Sequence, residues 1–240
     1  MRIKVHFSTY ILILLCLLSG FVVDVLIIFA SISFHELAHV IASRCFKKKV
    51  NKITILPFGG IFEINDHQNV NLLEEVIILI AGPLGSLFLL QFEAIYHINM
   101  IILIFNLIPI YPLDGGKIFE VILCRFLNYK FVLKFIFIMS IIFSVIIFIY
   151  SIKHSSFNIA LIGVVLLILN IKNYHGAEIK YWNFLNDKVL FSRKLPLKVH
   201  KRLNINNLYK GYNNVFIEGG NVVTEYQLIK NYNFNFEKKY

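Results

Sequence analysis

Charge is what this chain has least of. Of its 240 residues only 16% are Asp, Glu, Lys or Arg, against 58% that are hydrophobic. A soluble globular domain carries about a quarter charged residues and about half apolar ones. The deficit excludes a conventional soluble protein. Apolar stretches approach or reach the ~20 residues needed to cross a bilayer. Cysteine is scarce as well: Cys16, Cys45 and Cys124 are far apart, form no CxxC pair and lie in or beside apolar segments. That spacing excludes a disulfide framework and leaves small buried hydrophobes. No small-residue cleavage site is evident in the opening "MRIKVHFSTYILILLCLLSG", and the apolar character resumes at once. It therefore reads as an uncleaved first span, not a signal peptide. Internal repeats and low-complexity linkers are lacking too. The charge that is present is lopsided, with 24 Lys and Arg against 14 Asp and Glu, a net +10. No compact basic motif accompanies it, so direct nucleic-acid binding is not expected. Attraction to anionic lipid of the bilayer is.

What is there is mostly membrane span. Six apolar segments run at approximately 8–22, 25–46, 73–92, 98–113, 132–151 and 157–172. The second and fourth are followed by "KKKVNK" and "DGGKIFEVILCRFLNYK", which carry Lys47, Lys48, Lys49, Lys52, Lys117, Arg125 and Lys130, whereas the odd connections carry only Lys153. Short loops rich in Lys and Arg stay in the cytoplasm. The chain is thus expected to be a multi-pass integral membrane protein with both termini cytoplasmic. One segment departs from the pattern. In "VNKITILPFGGIFEIND", residues 50–66, Ile53, Thr54 and Ile55 favour strand, Pro57 with Gly59 and Gly60 a turn, and Ile61, Phe62 and Ile64 strand again. Non-helical backbone at membrane depth survives only where protein or a wet cavity satisfies it. We expect a β-hairpin dipping toward the membrane from the cytoplasmic side. The fold class is then an all-α polytopic membrane protein, with about six transmembrane helices, a membrane-associated hairpin and a small α+β cytoplasmic tail. Residues 1–173 form the membrane domain and 174–240 the tail.

The chemistry sits in "SFHELAHV", residues 33–40. On a helix, positions i and i+4 share a face, so His35 and His39 can offer two imidazoles to one metal ion. Glu36, beside them, is placed as a general base. That is the HExxH arrangement of zinc proteases. Ionisable groups within a span are costly and usually functional, and one bound metal gives all three a common reason. A catalytic zinc usually takes three protein ligands. The third is sought in "NLIPIYPLDGGK", residues 106–117, where Pro109 and Pro112 interrupt the fourth span before Asp114. An aspartate there is also a natural helix N-cap; paired with the histidines, it is the candidate ligand. The rival reading is a metal-binding membrane transporter or sensor without peptidase activity. It calls for metal-binding polar residues on several spans, and the sequence offers one cluster.

Taken together, "HELAH", "LPFGG" at 56–60, "AGP" at 81–83 and "NLIPIYPLDGG" resemble the site-2 protease family of intramembrane zinc metalloproteases, and within it the sporulation branch. The likeness covers most of residues 6–173. It implies a zinc endopeptidase with His35, His39 and Asp114 on the metal, Glu36 as catalytic base and Asn106 in the active-site region. Pro109, Pro112, Gly59 and Gly60 are the expected supporting or substrate-binding positions. It implies a membrane-associated protein substrate, in that branch a sporulation sigma-factor precursor, and membrane inhibitor proteins that gate access. It also implies a bacterial cell membrane, in that branch the outer forespore membrane. Where the family often has glycine this chain has Ala38. In the tail, "NNVFIEGGNVVTEYQLIKNY" resembles one strand–turn–strand–helix fragment of a CBS domain.

Overall fold

Helices dominate the computed structural model, which describes residues 2–5, 22–48, 50–56, 59–64, 71–190 and 194–237. The first expected span, 8–22, lies outside these residues except for its end. Met1–Asp66 with Glu74–Ile118 form one compact unit, and His67–Leu73 with Phe119–Tyr240 form a second.

In the first unit, α1 (Val22–Cys45) is 24 residues long, about 36 Å at ~1.5 Å per residue, enough for a hydrocarbon core of about 30 Å. Its buried side carries Ser31, Ile32, His35, Glu36, His39, Val40 and Ser43, while Leu37 and Ile41 are exposed. Polar groups thus face protein and apolar groups face outward, the arrangement a bilayer demands. α2 (Leu72–Leu89) opens with the Asn71 side chain accepting from Leu73 N at 3.0 Å, with Glu74 and Glu75 at its positive end. Lys48 Nζ, just past α1, pairs with Glu74 Oε2 at 3.0 Å.

The expected hairpin is present and belongs to a larger sheet. β2 (Val50–Leu56) pairs antiparallel with β3 (Gly59–Ile64), and β1 (Arg2–Val5) adds parallel to β2, in the order β1-β2-β3. Gly59 and Gly60 were expected in the turn; they are ladder residues opposite Leu56 and Ile55. The ladder runs so close to the tip that only positions 57 and 58, which lie outside the described residues, separate the strands. β3 runs alongside α1.

The fourth apolar segment is a half-length helix. α3 (Tyr96–Leu107) has 12 residues and packs on α1. It stops because Ile108 is extended, at φ −61° and ψ 133°, the conformation a following proline favours. After the turn, α4 (Asp114–Phe126) begins with its aspartate at the positive end.

The second unit is built on α5 (Tyr129–Lys153), 25 residues long and capped by the Asn128 side chain accepting from Phe131 N at 2.9 Å. It packs along α6 (Phe157–His175). Gly163 makes the close approach possible: a Cβ there would lie 3.1 Å from Phe148 N. α7 (Ala177–Leu190) continues from α6 after a 55° bend. Among the described residues, α1, α2 and α5 are long and apolar enough to cross a membrane, and the bent pair α6–α7 makes up to four.

The tail contains both structure types. β4 (Leu197–His200) pairs parallel with β5 (Asn213–Glu218), which pairs antiparallel with β6 (Asn221–Thr224), and α8 (Glu225–Glu237) follows. Lys188 of α7 anchors it, bonding the Tyr212 carbonyl at 2.7 Å and Glu225 Oε2 at 2.9 Å.

Candidate metal centre

The local rules that make α1 a helix also set its chemistry. His35 and His39 lie one turn apart on the buried side, with rings 5.0 Å between centroids. Asp114 comes from the start of α4. Its Oδ2 lies 2.9 Å from His35 Nε2 and 3.0 Å from His39 Nε2. One ligand atom from each of the three residues falls within 4.8 Å of the others. The carboxylate is therefore turned toward the imidazoles and is not spent on capping α4; the Leu113 carbonyl accepts from Lys117 N at 3.1 Å in the first turn.

The remaining ring nitrogens are held by α2. His39 Nδ1 donates to the Ile78 carbonyl at 2.8 Å, and His35 Nδ1 lies 2.8 Å from Ser86 Oγ. A carbonyl can only accept, so the proton of neutral His39 sits on Nδ1 and Nε2 keeps its lone pair for a metal. Such outer partners fix tautomer and ring angle in metal sites. The other Asp114 oxygen, Oδ1, lies 3.5 Å from Lys117 Nζ.

Space at the site is kept by glycine. A Cβ on Gly82 would stand 2.2 Å from His39 Nε2 and 2.6 Å from His35 Nε2, in front of both candidate donor atoms. One turn further along, a Cβ on Gly85 would come 2.9 Å from Ala38 Cβ. The methyl at position 38 is thus accommodated by a missing one opposite. Gly115 and Gly116 serve the turn: added Cβ atoms would lie 2.2 Å from the Leu107 carbonyl oxygen and 2.4 Å from the Ile110 carbonyl carbon. The chain from α3 folds directly onto the first turn of α4, which is how Asp114 is delivered.

Glu36 is buried, and its Oε2 has no hydrogen-bond partner among the described residues. An orphaned carboxylate oxygen is expensive in a protein interior and suits a group that receives a proton. Asn106 is buried on α3, its amide donating to the Ile102 carbonyl at 3.0 Å. Pro109 and Pro112 shape the turn between α3 and α4, and Gly59 and Gly60 lie in β3. These five are not among the three clustered ligands. Sequence reasoning passed over Gly82, Ser86 and Lys117. The "AGP" at 81–83 was the one available signal, and it gave no hint of what the glycine faces.

Two histidines and a carboxylate, with no side chain on Gly82 in front of the nitrogens, are a donor set that fits zinc. Fold and cluster together define a class: a helical protein with membrane-length helices and a candidate metal site built on one of them. The particular family follows from comparison. The pattern of peptidase family M50 matches residues 23–92 and 85–150, and the chain belongs to that family. It is 32% identical over 145 residues to stage IV sporulation protein FB of Bacillus subtilis (strain 168), covering 54% of this chain and 50% of that protein. It is also 32% identical over 122 residues to a zinc metalloprotease of Methanocaldococcus jannaschii, covering 43% of this chain and 35% of that one. The chain thus spans half or less of the length of these curated relatives. Among solved structures it resembles the site-2 protease from M. jannaschii, with a TM-score of 0.55 and 25% identity over 74% of this chain and 89% of that one.

Proposed function

We propose that the chain is an intramembrane zinc endopeptidase that cleaves a membrane-associated protein near the cytoplasmic face. The observation that carries this reading is the convergence of His35, His39 and Asp114 Oδ2, with the buried Glu36 next in sequence to His35 and its Oε2 without a hydrogen-bond partner among the described residues. His35, His39 and Asp114 would hold the ion, and zinc bound there would supply a Lewis acid to polarise the scissile carbonyl and acidify water. Glu36 takes the proton of the attacking water and passes it to the leaving amide nitrogen. Lys117, against Asp114 Oδ1, fixes the ligand carboxylate.

The finer reading draws on the relatives. The likeness to the sporulation protein supports a sigma-factor precursor as substrate, membrane inhibitor proteins as gates and the outer forespore membrane as location. Lysine and arginine placement supports six spans with both termini in the cytoplasm. The tail from 174 is read as a separate regulatory region resembling part of a CBS domain. An extended substrate fits the outer edge of β3 by strand addition.

The test uses the purified full chain, a membrane-tethered precursor and metal analysis. Glu36→Gln is expected to keep its zinc and lose about 10²–10⁴-fold in turnover. Asp114→Ala is expected to lose zinc and thermal stability together, since binding energy at such a site is shared with folding. Normal turnover by Glu36→Gln refutes the peptidase assignment. Full zinc in Asp114→Ala with loss in Glu36→Gln shows that ligand and base have been exchanged.

A further inference from the structure

The tail sheet has one covered face and one bare face. The covered face holds Lys198, His200, Asn214, Phe216 and Val223. His200 stacks on Phe216 with centroids 4.9 Å apart, Lys198 Nζ sits 4.0 Å from the Tyr209 ring centre, and α8 packs behind. Strand alternation puts Leu197, Val199, Val215, Ile217 and Val222 on the opposite face. The register makes them neighbours, with Val199 opposite Val215 and Ile217 opposite Val222. Leu197 is 70% exposed, Val199 61% and Val222 63%, Ile217 is exposed as well, and Val215 between them is half-buried. A contiguous apolar face of this kind marks an interaction surface.

Charge narrows the partner. The segment "LFSRKLPLKVHKRL", residues 190–203, contains Arg193, Lys194, Lys198, Lys201 and Arg202 and no acid. Lys194 precedes β4, Lys201 and Arg202 follow it, and all three are exposed. The apolar centre is therefore flanked by cations at both ends of the strand. Glu218, at the β5–β6 turn, is an exposed acid at the far margin. Two copies meeting through this face would bring like charges together, whereas an anionic lipid surface complements them.

Position narrows it further. Tyr129 N donates to the Leu208 carbonyl at 2.9 Å, and Lys130 Nζ donates to Asn206 Oδ1 at 3.2 Å. Both contacts are in the first turn of α5, a helix of membrane-crossing length. The loop between β4 and β5 is thus pinned to the N-terminal end of that helix.

We propose that the bare face of the tail sheet docks on the bilayer that α5 crosses, with Lys194, Lys201 and Arg202 engaging anionic headgroups and Leu197, Val199 and Val222 resting among them. The inference stands apart from the peptidase reading and needs only that α5 spans a membrane. The test replaces Cys16, Cys45 and Cys124 with Ala in the full chain. Single cysteines at Val199, Val222 or Asn231 then carry an environment-sensitive fluorophore. Samples are placed in single-copy nanodiscs of phosphatidylcholine alone or mixed with phosphatidylglycerol. Labels at 199 and 222 are expected to blue-shift and to be quenched by brominated acyl chains in the anionic discs. The label at 231, on α8, should stay as in water. Charge reversal at Lys194, Lys201 and Arg202 should abolish the difference between the two lipid mixtures. Quenching at 199 and 222 no greater than at 231 overturns the proposal. So does protection that appears only at high protein concentration in detergent, which would mean a second copy covers the face. Equal quenching in neutral and anionic discs overturns the headgroup recognition.

Discussion

Gly82 lacks the one atom that would stand in front of both candidate donor nitrogens: a Cβ there would lie 2.2 Å from His39 Nε2. Gly82→Ala therefore separates folding from metal binding. Alanine favours a helix over glycine by about 1 kcal/mol, so helix content should hold. Zinc content should fall severalfold, because the methyl competes for the ion's place. Circular dichroism beside metal analysis of the purified variant checks this; full zinc occupancy would show that the helix shifts to make room. At this scale His35, Glu36 and His39 were legible because their spacing on one helix is itself the signal. Asp114 was legible through the interruption before it. Ser86 and Lys117 were not, since a lone serine or lysine becomes meaningful only through what it faces, and that is decided across helices.

At the level of elements, the hairpin's place in a three-stranded sheet changes which edge can receive a peptide. β2 is flanked on both sides, and among the described residues β1 and β3 are outermost. Successive N–H groups of a strand point to opposite sides. Of Ile61→Pro and Phe62→Pro, one therefore removes a donor toward β2 and the other a donor at the outer edge. The outer one is expected to lower kcat/KM about fivefold, one main-chain hydrogen bond at about 1 kcal/mol, with zinc content unchanged. Steady-state kinetics and metal analysis on both variants check it; equal loss of zinc in both would make the edge purely structural. β1 itself escaped the sequence reading because four residues are too few to show a period of two. Gly59 and Gly60 read as a turn by composition and became strand by pairing.

On the scale of the whole molecule, the tail is held within the second unit by charge on the buried Glu120. Glu120 of α4 meets Lys180 of α7 at 3.3 Å and Lys210 at 4.0 Å, with the Tyr129 hydroxyl donating at 3.4 Å. Nearby, the Tyr181 hydroxyl donates to the Ile205 carbonyl. Burial pushes the Glu120 carboxyl up, but Lys180 and Lys210 outweigh it and hold it below its ordinary 4.5. A carboxyl depressed by folding contributes stability that is present above the unfolded value and fades as pH falls through the folded one. Thermal stability should therefore hold from neutral pH to near 4.5 and drop below it. Glu120→Gln should lower the neutral-pH stability by about 3 kcal/mol, the low end for breaking a buried pair because Lys180 is partly exposed. It should also flatten the acid limb. Detergent-solubilised melting curves between pH 3 and 7 measure both, and an acid limb as steep as in the unaltered chain would assign it to other carboxylates.

Composition alone determined that the chain belongs in a membrane, because so many apolar groups and so few charges leave no soluble alternative. Helical periodicity alone determined that two imidazoles share a face with an acid beside them, because that geometry is local. Assembly of the site was decided by tertiary structure. The turn at residues 108–113 had to fold onto Gly115 and Gly116 to bring Asp114 Oδ2 within 3.0 Å of both rings. α2 had to present a serine, a carbonyl and a bare glycine on the facing side. Those distances join residues about 40 to 80 positions apart, where no local pattern reaches and only packing fixes which atoms meet.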